Sequence, residues 1–176
     1  MEHPGRGVIR AEPLTAPKTD QVLIQTRFSG ISRGTETLVY RGEVPDSQAD
    51  LMRCPFQVGA FPGPVKYGYM AVGRVIDGDP ALVGRDVFSL HPHQDRFVVP
   101  ASMAVPLPED VPASRAILAA NMETALNILW DSDIRAGDRV AVIGLGVVGL
   151  LAAWLARTVP ETEVLALDID PTKRAM

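Results

Sequence analysis

Three glycines in one six-residue segment have a spacing that suits phosphate binding. The segment from Gly144 to Gly149, with the sequence G-L-G-V-V-G, follows the apolar run Val140–Ile143 and precedes an uninterrupted apolar stretch. G-x-G-x-x-G between a strand and a helix makes a tight turn that places a pyrophosphate at the helix N-terminus. We therefore predict a dinucleotide site. Its cofactor-binding residues are Gly144, Gly146, Val147, Val148 and Gly149.

An acidic residue completes this pattern. Asp168 ends a second apolar run, Glu163–Leu167, nineteen residues after Gly149. A carboxylate at this strand end can accept hydrogen bonds from both hydroxyls of an adenosine ribose and repels a 2′-phosphate. The sequence thus predicts a βαβ unit that prefers NAD(H) to NADP(H). The alternative is a glycine turn in an unrelated α/β protein.

The elements that position these residues follow from the distribution of proline and glycine. Thirteen of the fifteen prolines lie at or before Pro112, which indicates short strands and turns in the first part of the chain. The predicted strands are Val22–Phe28, Tyr69–Ile76 with a bulge or close approach at Gly73, Asp86–Leu90 and Arg96–Val99. Glu43–Lys66 is predicted as a long loop.

The second part of the chain has a different composition, with few prolines and longer apolar segments. Ala113–Trp130 is rich in Ala and Leu and is predicted as helical, with a break near Asn121. A strand at Arg139–Ile143, a helix to about Thr158 and a strand at Glu163–Leu167 complete the predicted βαβ unit.

Composition excludes several classes of function. The 176 residues carry a formal net charge of −4, which gives no overall attraction to nucleic acid or anionic lipid. Cys54 is the only cysteine, so neither an internal disulfide nor a multi-cysteine zinc site is possible. The apolar run Val140–Ala156 is shorter than a bilayer span of about twenty residues. The N-terminus lacks the apolar core of a signal peptide, and we expect a cytoplasmic protein with no membrane partner.

Several segments resemble one enzyme family, the medium-chain dehydrogenases/reductases of the zinc-type alcohol dehydrogenase kind. Gly84–Val87 is similar to the family's G-D-x-V strand entry, and Ala136–Val140 is similar to the entry to its first Rossmann strand. Leu167–Asp170 with Lys173 resembles the NAD-selective end of the second strand, where the lysine also reaches the ribose. Gly30–Glu36 and Gly68-Tyr69 are most similar to the bacteriochlorophyllide a dehydrogenase branch.

The resemblance implies a fold and an assembly. The fold class is α/β overall, with a GroES-like β-rich substrate domain at 1–120. The first βαβ of an incomplete NAD-binding Rossmann domain follows at 121–176. The family's members are roughly twice as long, and a Rossmann domain needs about six strands. The chain therefore resembles the N-terminal half of an oxidoreductase, expected to be inactive alone and homodimeric at full length.

The departures from the family concern its zinc. The family's three catalytic ligands are two cysteines, or one cysteine and an acid, with a histidine. Ser32, Tyr69 and Ala120 stand at those positions, and the four-cysteine structural lobe is missing. Because catalytic zinc needs about three protein ligands, we expect none. His91, His93 and Asp95 are a candidate replacement metal site, because two imidazoles and a carboxylate can bind a metal. The alternative is a surface or cleft role for the two histidines.

Without zinc, an alkoxide formed at a carbonyl still needs a proton and stabilisation. We predict Tyr69 as the proton donor and Ser32 and Thr35 as proton relays. Glu36 or Glu123 is predicted to orient these groups or to accept a proton. The competing interpretations are a strand tyrosine that caps the core for Tyr69 and a helix-capping acid for Glu123.

The functional prediction is hydride transfer between NAD and a small-molecule carbonyl, alcohol or activated alkene, without zinc. The alternative is a non-catalytic protein that keeps the fold and binds only a nucleotide or a partner. Loss of the zinc ligands favours the alternative, and the intact Gly144–Asp168 unit favours the enzyme.

Overall fold

The structure, a computed structural model, describes residues 1–175 and divides them into two compact units. The first unit is Met1–Leu118, and the second begins at Ala119. The described residues form nine strands: β1 Gln21–Ser29, β2 Val58–Gly59, β3 Val65–Lys66, β4 Ala71–Gly78, β5 Asp86–Ser89, β6 Arg96–Pro100, β7 Val105–Pro106, β8 Arg139–Ile143 and β9 Glu163–Leu167. The α-helices are α1 Thr35–Arg41, α2 Ala113–Ala116, α3 Ala119–Asp131 and α4 Val147–Ala156.

The first unit is built on a five-stranded antiparallel sheet in the order β6-β1-β4-β5-β7. Alternate residues of β1 point into its core, so that Val22 and Ile24 are fully buried. They pack with Val75, Phe97 and Val99 in one apolar cluster. This alternation is what a sheet with one covered face requires, and it confirms the predicted β-rich domain.

The close approach predicted at Gly73 is confirmed. A Cβ at this position would lie 2.4 Å from the Gln25 carbonyl oxygen on β1. The register between β1 and β4 shifts beside it, because Thr26 pairs with Gly73 and Phe28 pairs with Val72. The extra residue of this irregularity, Arg27, therefore lies on β1 and not on the glycine's own strand.

Two predictions for the middle of this unit are wrong. The strand predicted from Tyr69 begins at Ala71, so Tyr69 precedes β4 and does not cap the core from a strand. The predicted loop Glu43–Lys66 contains a 3₁₀ turn, Asp46–Gln48, and the short hairpin of β2 and β3. A second apolar cluster holds this region together; its buried members are Val39, Cys54, Val65 and Tyr67.

Helix α1 was not predicted. Its seven residues, T-E-T-L-V-Y-R, include β-branched and aromatic types with low helix propensity, so the segment does not show a helical pattern. The helix ends at Gly42, which adopts a left-handed conformation with φ of 69°. The predicted helix Ala113–Trp130 is also broken earlier than expected, at Ile117-Leu118 between α2 and α3 and not near Asn121.

The second unit contains the predicted βαβ motif. Strands β8 and β9 are parallel and pair from Arg139 with Glu163 to Ile143 with Leu167. Helix α4 connects them, and α3 packs against α4. The two-stranded sheet is poorly covered, since Ile143 is 83% exposed and Leu165 is 58% exposed. A shallow cavity of about 180 Å³ runs along these two strands.

Among the described residues, no helix is long and apolar enough to cross a membrane.

Candidate functional site

The glycine segment makes the predicted turn between β8 and α4. Gly144 has φ of 98°, a conformation that favours glycine, and its N–H donates to the Leu167 carbonyl on β9 at 2.7 Å. A Cβ at Gly149 would lie 1.9 Å from the Gly144 oxygen, so only glycine fits there. Gly146 differs, because a Cβ there meets no protein atom within 4 Å. The protein does not need a glycine at 146, and the open space suits a close ligand.

Helix α4 presents its first turn beside this opening. Gly146 is its N-cap, with no capping side chain among the described residues, and the first intrahelical bond there joins Leu150 N–H to the Gly146 carbonyl at 2.9 Å. The backbone N–H groups of Val147, Val148 and Gly149 thus lie in the helix's first turn, where no intrahelical acceptor is available. These donors, with the positive end of the helix dipole, fit a pyrophosphate.

Asp168 follows β9 and contacts the same turn. Its Oδ2 accepts from the Leu145 N–H at 2.6 Å and from Lys173 Nζ at 3.1 Å, and its Oδ1 accepts from the Asp170 N–H at 2.8 Å. These bonds, led by the two backbone N–H groups, lower the pKa of Asp168 to about 2. The side chain is therefore a carboxylate at neutral pH. Oδ1 has only one of the three contacts and keeps an acceptor position for a ligand.

Lys173 lies beside Asp168 in the described structure. The resemblance assigns its ammonium to the ribose, and its 3.1 Å contact with the carboxylate leaves it close to that place. Together the open space at Gly146, the N–H groups of α4 and the anionic Asp168 fit the diphosphate and ribose of a dinucleotide.

Tyr69, the predicted proton donor, makes only one long hydrogen bond among the described residues. Tyr69 donates through its hydroxyl to Thr35 Oγ1 at 3.4 Å, which is the long end of the hydrogen-bond range. Ser32 precedes α1 and contacts Glu36 twice through its backbone: its N–H donates to Glu36 Oε1 at 2.8 Å, and its carbonyl accepts the Glu36 N–H at 2.9 Å. Tyr69, Thr35, Ser32 and Glu36 are all in the first unit.

The helix-capping interpretation of Glu123 is wrong, and its catalytic role stays a prediction. This residue is exposed on α3 in the second unit, so its charge is not buried among apolar side chains. It is the fifth residue of α3, and no acidic residue lies in that helix's first turn, so it does not cap the helix either. Glu36 carries the buried carboxylate instead, with 8% of its surface exposed.

The residues that the resemblance places at the family's zinc positions do not make a zinc ligand set. Ser32, Tyr69 and Ala120 supply two hydroxyls and a methyl group, which do not match the N, S and O⁻ donors of zinc. The histidine alternative gains no support from the structure. His91 is buried and stacks on Phe97 at 4.0 Å between ring centroids, whereas His93 contacts Glu36. Within residues 1–175, no three His, Cys, Asp or Glu side chains are grouped as a metal site.

Sequence reasoning missed a hydrogen-bonded row of three side chains. His93 Nδ1 lies 2.5 Å from Ser29 Oγ, and His93 Nε2 lies 2.6 Å from Glu36 Oε2. Ser29 and His93 are 64 positions apart, and Glu36 and His93 are 57 apart. No spacing rule joins such distant residues. The sequence analysis singled out Glu36 and His93 separately, but it did not connect them and did not include Ser29.

Comparisons with known proteins agree with the fold. No family model matches the sequence. D-guloside 3-dehydrogenase of Escherichia coli (strain K12) is 25% identical over 166 residues, which are 85% of this chain and 47% of that protein. An uncharacterized zinc-type alcohol dehydrogenase-like protein of Haemophilus influenzae (strain ATCC 51907 / DSM 11121 / KW20 / Rd) is 26% identical over 191 residues, 89% of this chain and 52% of that protein.

Solved structures show the same fold. The quinone oxidoreductase of Thermus thermophilus, solved alone and with NADPH, aligns with a TM-score of 0.72 and 22% identity. The alignment covers 98% of this chain and 53% of that one. The chain spans about half the length of the curated relatives it matches. The predicted fold class is thereby confirmed.

Proposed function

We propose, from the confirmed likeness of this chain to the N-terminal half of the medium-chain dehydrogenases/reductases, that it belongs to an NAD-dependent oxidoreductase. The reaction is hydride transfer between the nicotinamide and a small-molecule carbonyl, alcohol or activated alkene. The observation that carries the proposal is the site formed by the open Gly146, the first turn of α4 and the ionised Asp168.

The preference for NAD rests on Asp168. Its carboxylate is held as an anion by two backbone N–H groups and Lys173, with only 6% of the side chain exposed. A fixed negative charge beside the ribose favours a free 2′-hydroxyl and disfavours a 2′-phosphate. Lys173 opposes this effect, but its charge is already paired with Asp168. The Thermus structure contains NADPH, so the choice of cofactor depends on this chain's own residues.

The reaction is proposed to run without catalytic zinc. When bound, the nicotinamide supplies the hydride or accepts it, and the protein must then stabilise and protonate the substrate oxygen. Tyr69, Ser32 and Thr35 are the proposed groups for this task in the first unit, and Glu36 replaces Glu123 as the acid that orients them. Activity, substrate and homodimeric assembly are proposed for the protein in its complete natural length.

A nucleotide-binding protein without catalysis is the second candidate. The observation in its favour is the set Ser32, Tyr69 and Ala120 at the family's ligand positions. Both candidates require the same dinucleotide site, so binding tests the site and turnover separates the candidates.

The binding experiment uses the part of the cofactor that this chain's residues would contact. Titration calorimetry of the 176-residue chain compares ADP-ribose with 2′-phospho-ADP-ribose. We expect ADP-ribose to bind at least about tenfold more tightly, a difference of about 1.4 kcal/mol. Asp168→Asn keeps the shape of the side chain and removes its charge, and it should abolish most of this preference. Asp131→Asn, an exposed acid on α3, is the matched control.

Equal binding of the two ligands by the unsubstituted chain would contradict the role of Asp168. Turnover is followed by the nicotinamide absorbance of NADH in the protein at its natural length, with a panel of ketones, quinones and alcohols. Binding without turnover for every member of the panel would favour the non-catalytic candidate.

A further inference from the structure

Three side chains of the first unit are joined end to end by hydrogen bonds. Ser29 is the last residue of β1, Glu36 lies in α1, and His93 lies between β5 and β6. The imidazole contacts Ser29 Oγ through Nδ1 at 2.5 Å and Glu36 Oε2 through Nε2 at 2.6 Å. A strand, a helix and a loop thus contribute one group each to a continuous row.

The chemistry of the partners fixes the protons in this row. As a carboxylate, Glu36 only accepts: Oε1 takes the Ser32 N–H and Oε2 faces His93. His93 Nε2 must therefore carry a hydrogen. In the neutral ring, Nδ1 is then a free base, and the Ser29 hydroxyl can donate to it. The Met70 carbonyl, at 3.4 Å, is the more distant acceptor for the same hydroxyl.

The backbone is shaped to admit the imidazole. Gly68 has φ of 129°, and a Cβ there would lie 2.9 Å from His93 Nε2 and 2.9 Å from its backbone nitrogen. The His93 N–H also donates to the Tyr67 carbonyl at 3.2 Å. A glycine at 68 therefore lets the histidine pack against the segment that leads to Tyr69.

Exposure changes along the row. The Glu36 side chain is 10% exposed, the His93 side chain is 33% exposed, and Ser29 is an exposed residue. A purely structural hydrogen bond would need only His93 and Glu36. The serine hydroxyl at the accessible end, held against the free imidazole nitrogen, gives a ligand from solvent access to the base.

We propose that Ser29, His93 and Glu36 form a proton relay that acts on the oxygen of an alcohol or carbonyl ligand bound beside Ser29. This inference rests on the proposed oxidoreductase function and supplies its acid–base group. The relay takes the place of Tyr69 as the proton donor in the proposed function. Tyr69 and Thr35, which adjoin Gly68 and Glu36 in sequence, then help to position the ligand oxygen.

The proton balance is simple in each direction. When an alcohol is oxidised, its O–H bond breaks, the proton passes to Ser29 Oγ, and the serine's own proton passes to His93 Nδ1. The O–H electron pair stays on the ligand oxygen and becomes the second carbon–oxygen bond as the hydride leaves in the proposed transfer. The resulting imidazolium is paired with Glu36. In reduction, Nδ1–H returns its proton to Ser29, which protonates the ligand oxygen.

The first test needs only the 176-residue chain. Long-range ¹H–¹⁵N NMR should show neutral His93 with its hydrogen on Nε2 and its lone pair on Nδ1. Ser29→Ala should shift the Nδ1 resonance, whereas Ser47→Ala, at an exposed serine of the same unit, should not. A hydrogen on Nδ1, or an Nδ1 resonance that ignores Ser29→Ala, would overturn the relay.

The second test measures turnover in the protein at its natural length. Ser29→Ala and His93→Ala should each lower kcat on the order of a hundredfold, with KM and ADP-ribose affinity little changed. Added imidazole should restore part of the activity of His93→Ala and none of that of Ser29→Ala. His93→Gln, which can still donate to Glu36, serves if His93→Ala does not fold.

The outcomes separate the two proposals. Unchanged kcat in the folded variants, with hydride transfer intact, would overturn the relay and leave the oxidoreductase proposal standing. No hydride transfer by the unsubstituted protein with any substrate would overturn the oxidoreductase proposal, and the relay with it. Lower stability with unchanged kcat would assign the row a structural role only.

Discussion

His91 is a buried histidine whose ring is enclosed by aromatic neighbours. It stacks on Phe97 and lies 5.3 Å from Phe56 between ring centroids, and its Nδ1 contacts the Pro92 carbonyl at 2.9 Å. Burial lowers the pKa of His91 from its ordinary value of 6.5 to about 4. The ring is therefore neutral in the folded protein at neutral pH, and its role is to fill the core.

This burial predicts a pH dependence of stability. Between pH 6.5 and about 4 the unfolded chain binds a proton at His91 and the folded chain does not. The free energy of unfolding should therefore fall as the pH drops through this window, by as much as about 3 kcal/mol. Urea denaturation of the first unit at several pH values measures the slope.

The control variants isolate the histidine. His91→Phe keeps a ring on Phe97 and should flatten the slope between pH 6.5 and 4, whereas His3→Gln, at an exposed histidine, should leave it unchanged. An identical slope in His91→Phe and in the unsubstituted chain would show that other groups cause the acid sensitivity.

Two glycines of one turn should respond differently to a single methyl group. Gly149→Ala places a Cβ 1.9 Å from the Gly144 oxygen and should destabilise the second unit by more than about 2 kcal/mol. Gly146→Ala meets no protein atom within 4 Å and has φ of −72°, so stability should change little. Its methyl group would enter the space proposed for the pyrophosphate and should weaken ADP-ribose binding about tenfold.

Thermal unfolding and calorimetric titration of both variants check this contrast. Full ADP-ribose affinity in Gly146→Ala would mean that the diphosphate does not lie at this turn.

At the level of single residues, the sequence was informative where function depends on local spacing, as in the glycine turn and Asp168. It failed for His93, whose partners come from distant positions and are brought together only by the fold.

Strands and helices were predictable where one physical rule determined them. The alternation of β1 and the apolar runs of β8 and β9 follow directly from burial, and the predicted bounds agree with the structure within about two residues. Helix α1 has seven residues and little intrinsic propensity, so tertiary contacts such as the burial of Val39 must stabilise it. A pattern-based prediction could not include those contacts.

At the level of the sheet, the fit of β1 against β4 depends on Gly73. Gly73→Ala brings a Cβ within 2.4 Å of the Gln25 oxygen and should separate the two central strands, at a cost of more than about 2 kcal/mol. Gly7→Ala, where no atom lies within 4 Å, is the matched control. Equal denaturation midpoints for the two variants would show that β1 can move aside without loss.

At the level of the whole molecule, the two units should differ in stability. Val22 and Ile24 are fully buried in a five-stranded sheet, whereas Ile143 and Leu165 are mostly exposed on a sheet of two described strands. A two-stranded parallel sheet with uncovered faces is marginal. Amide hydrogen exchange on the 176-residue chain should therefore be slow in β1 and β4 and fast in β9.

Sedimentation in the same buffer establishes whether the chain is a monomer, because a second copy covering β9 would slow its exchange. Strong and uniform protection in a demonstrated monomer would contradict the difference in stability.

The division of the chain into a β-rich unit and a βαβ unit was visible in the placement of proline and glycine. The exposure of the second unit's apolar faces followed from counting its strands.

The side-chain contacts of each candidate site come from residues of a single unit. The contacts of Asp168 come from Leu145, Asp170 and Lys173, and those of His93 come from Ser29 and Glu36. Substitutions that change the contacts of one site therefore leave the contacts of the other site intact. Selection can act on the two sites separately. In evolutionary terms, the proposed cofactor site can change independently: a descendant could acquire a different nucleotide preference by changes after β9 while inheriting the proposed proton relay unaltered.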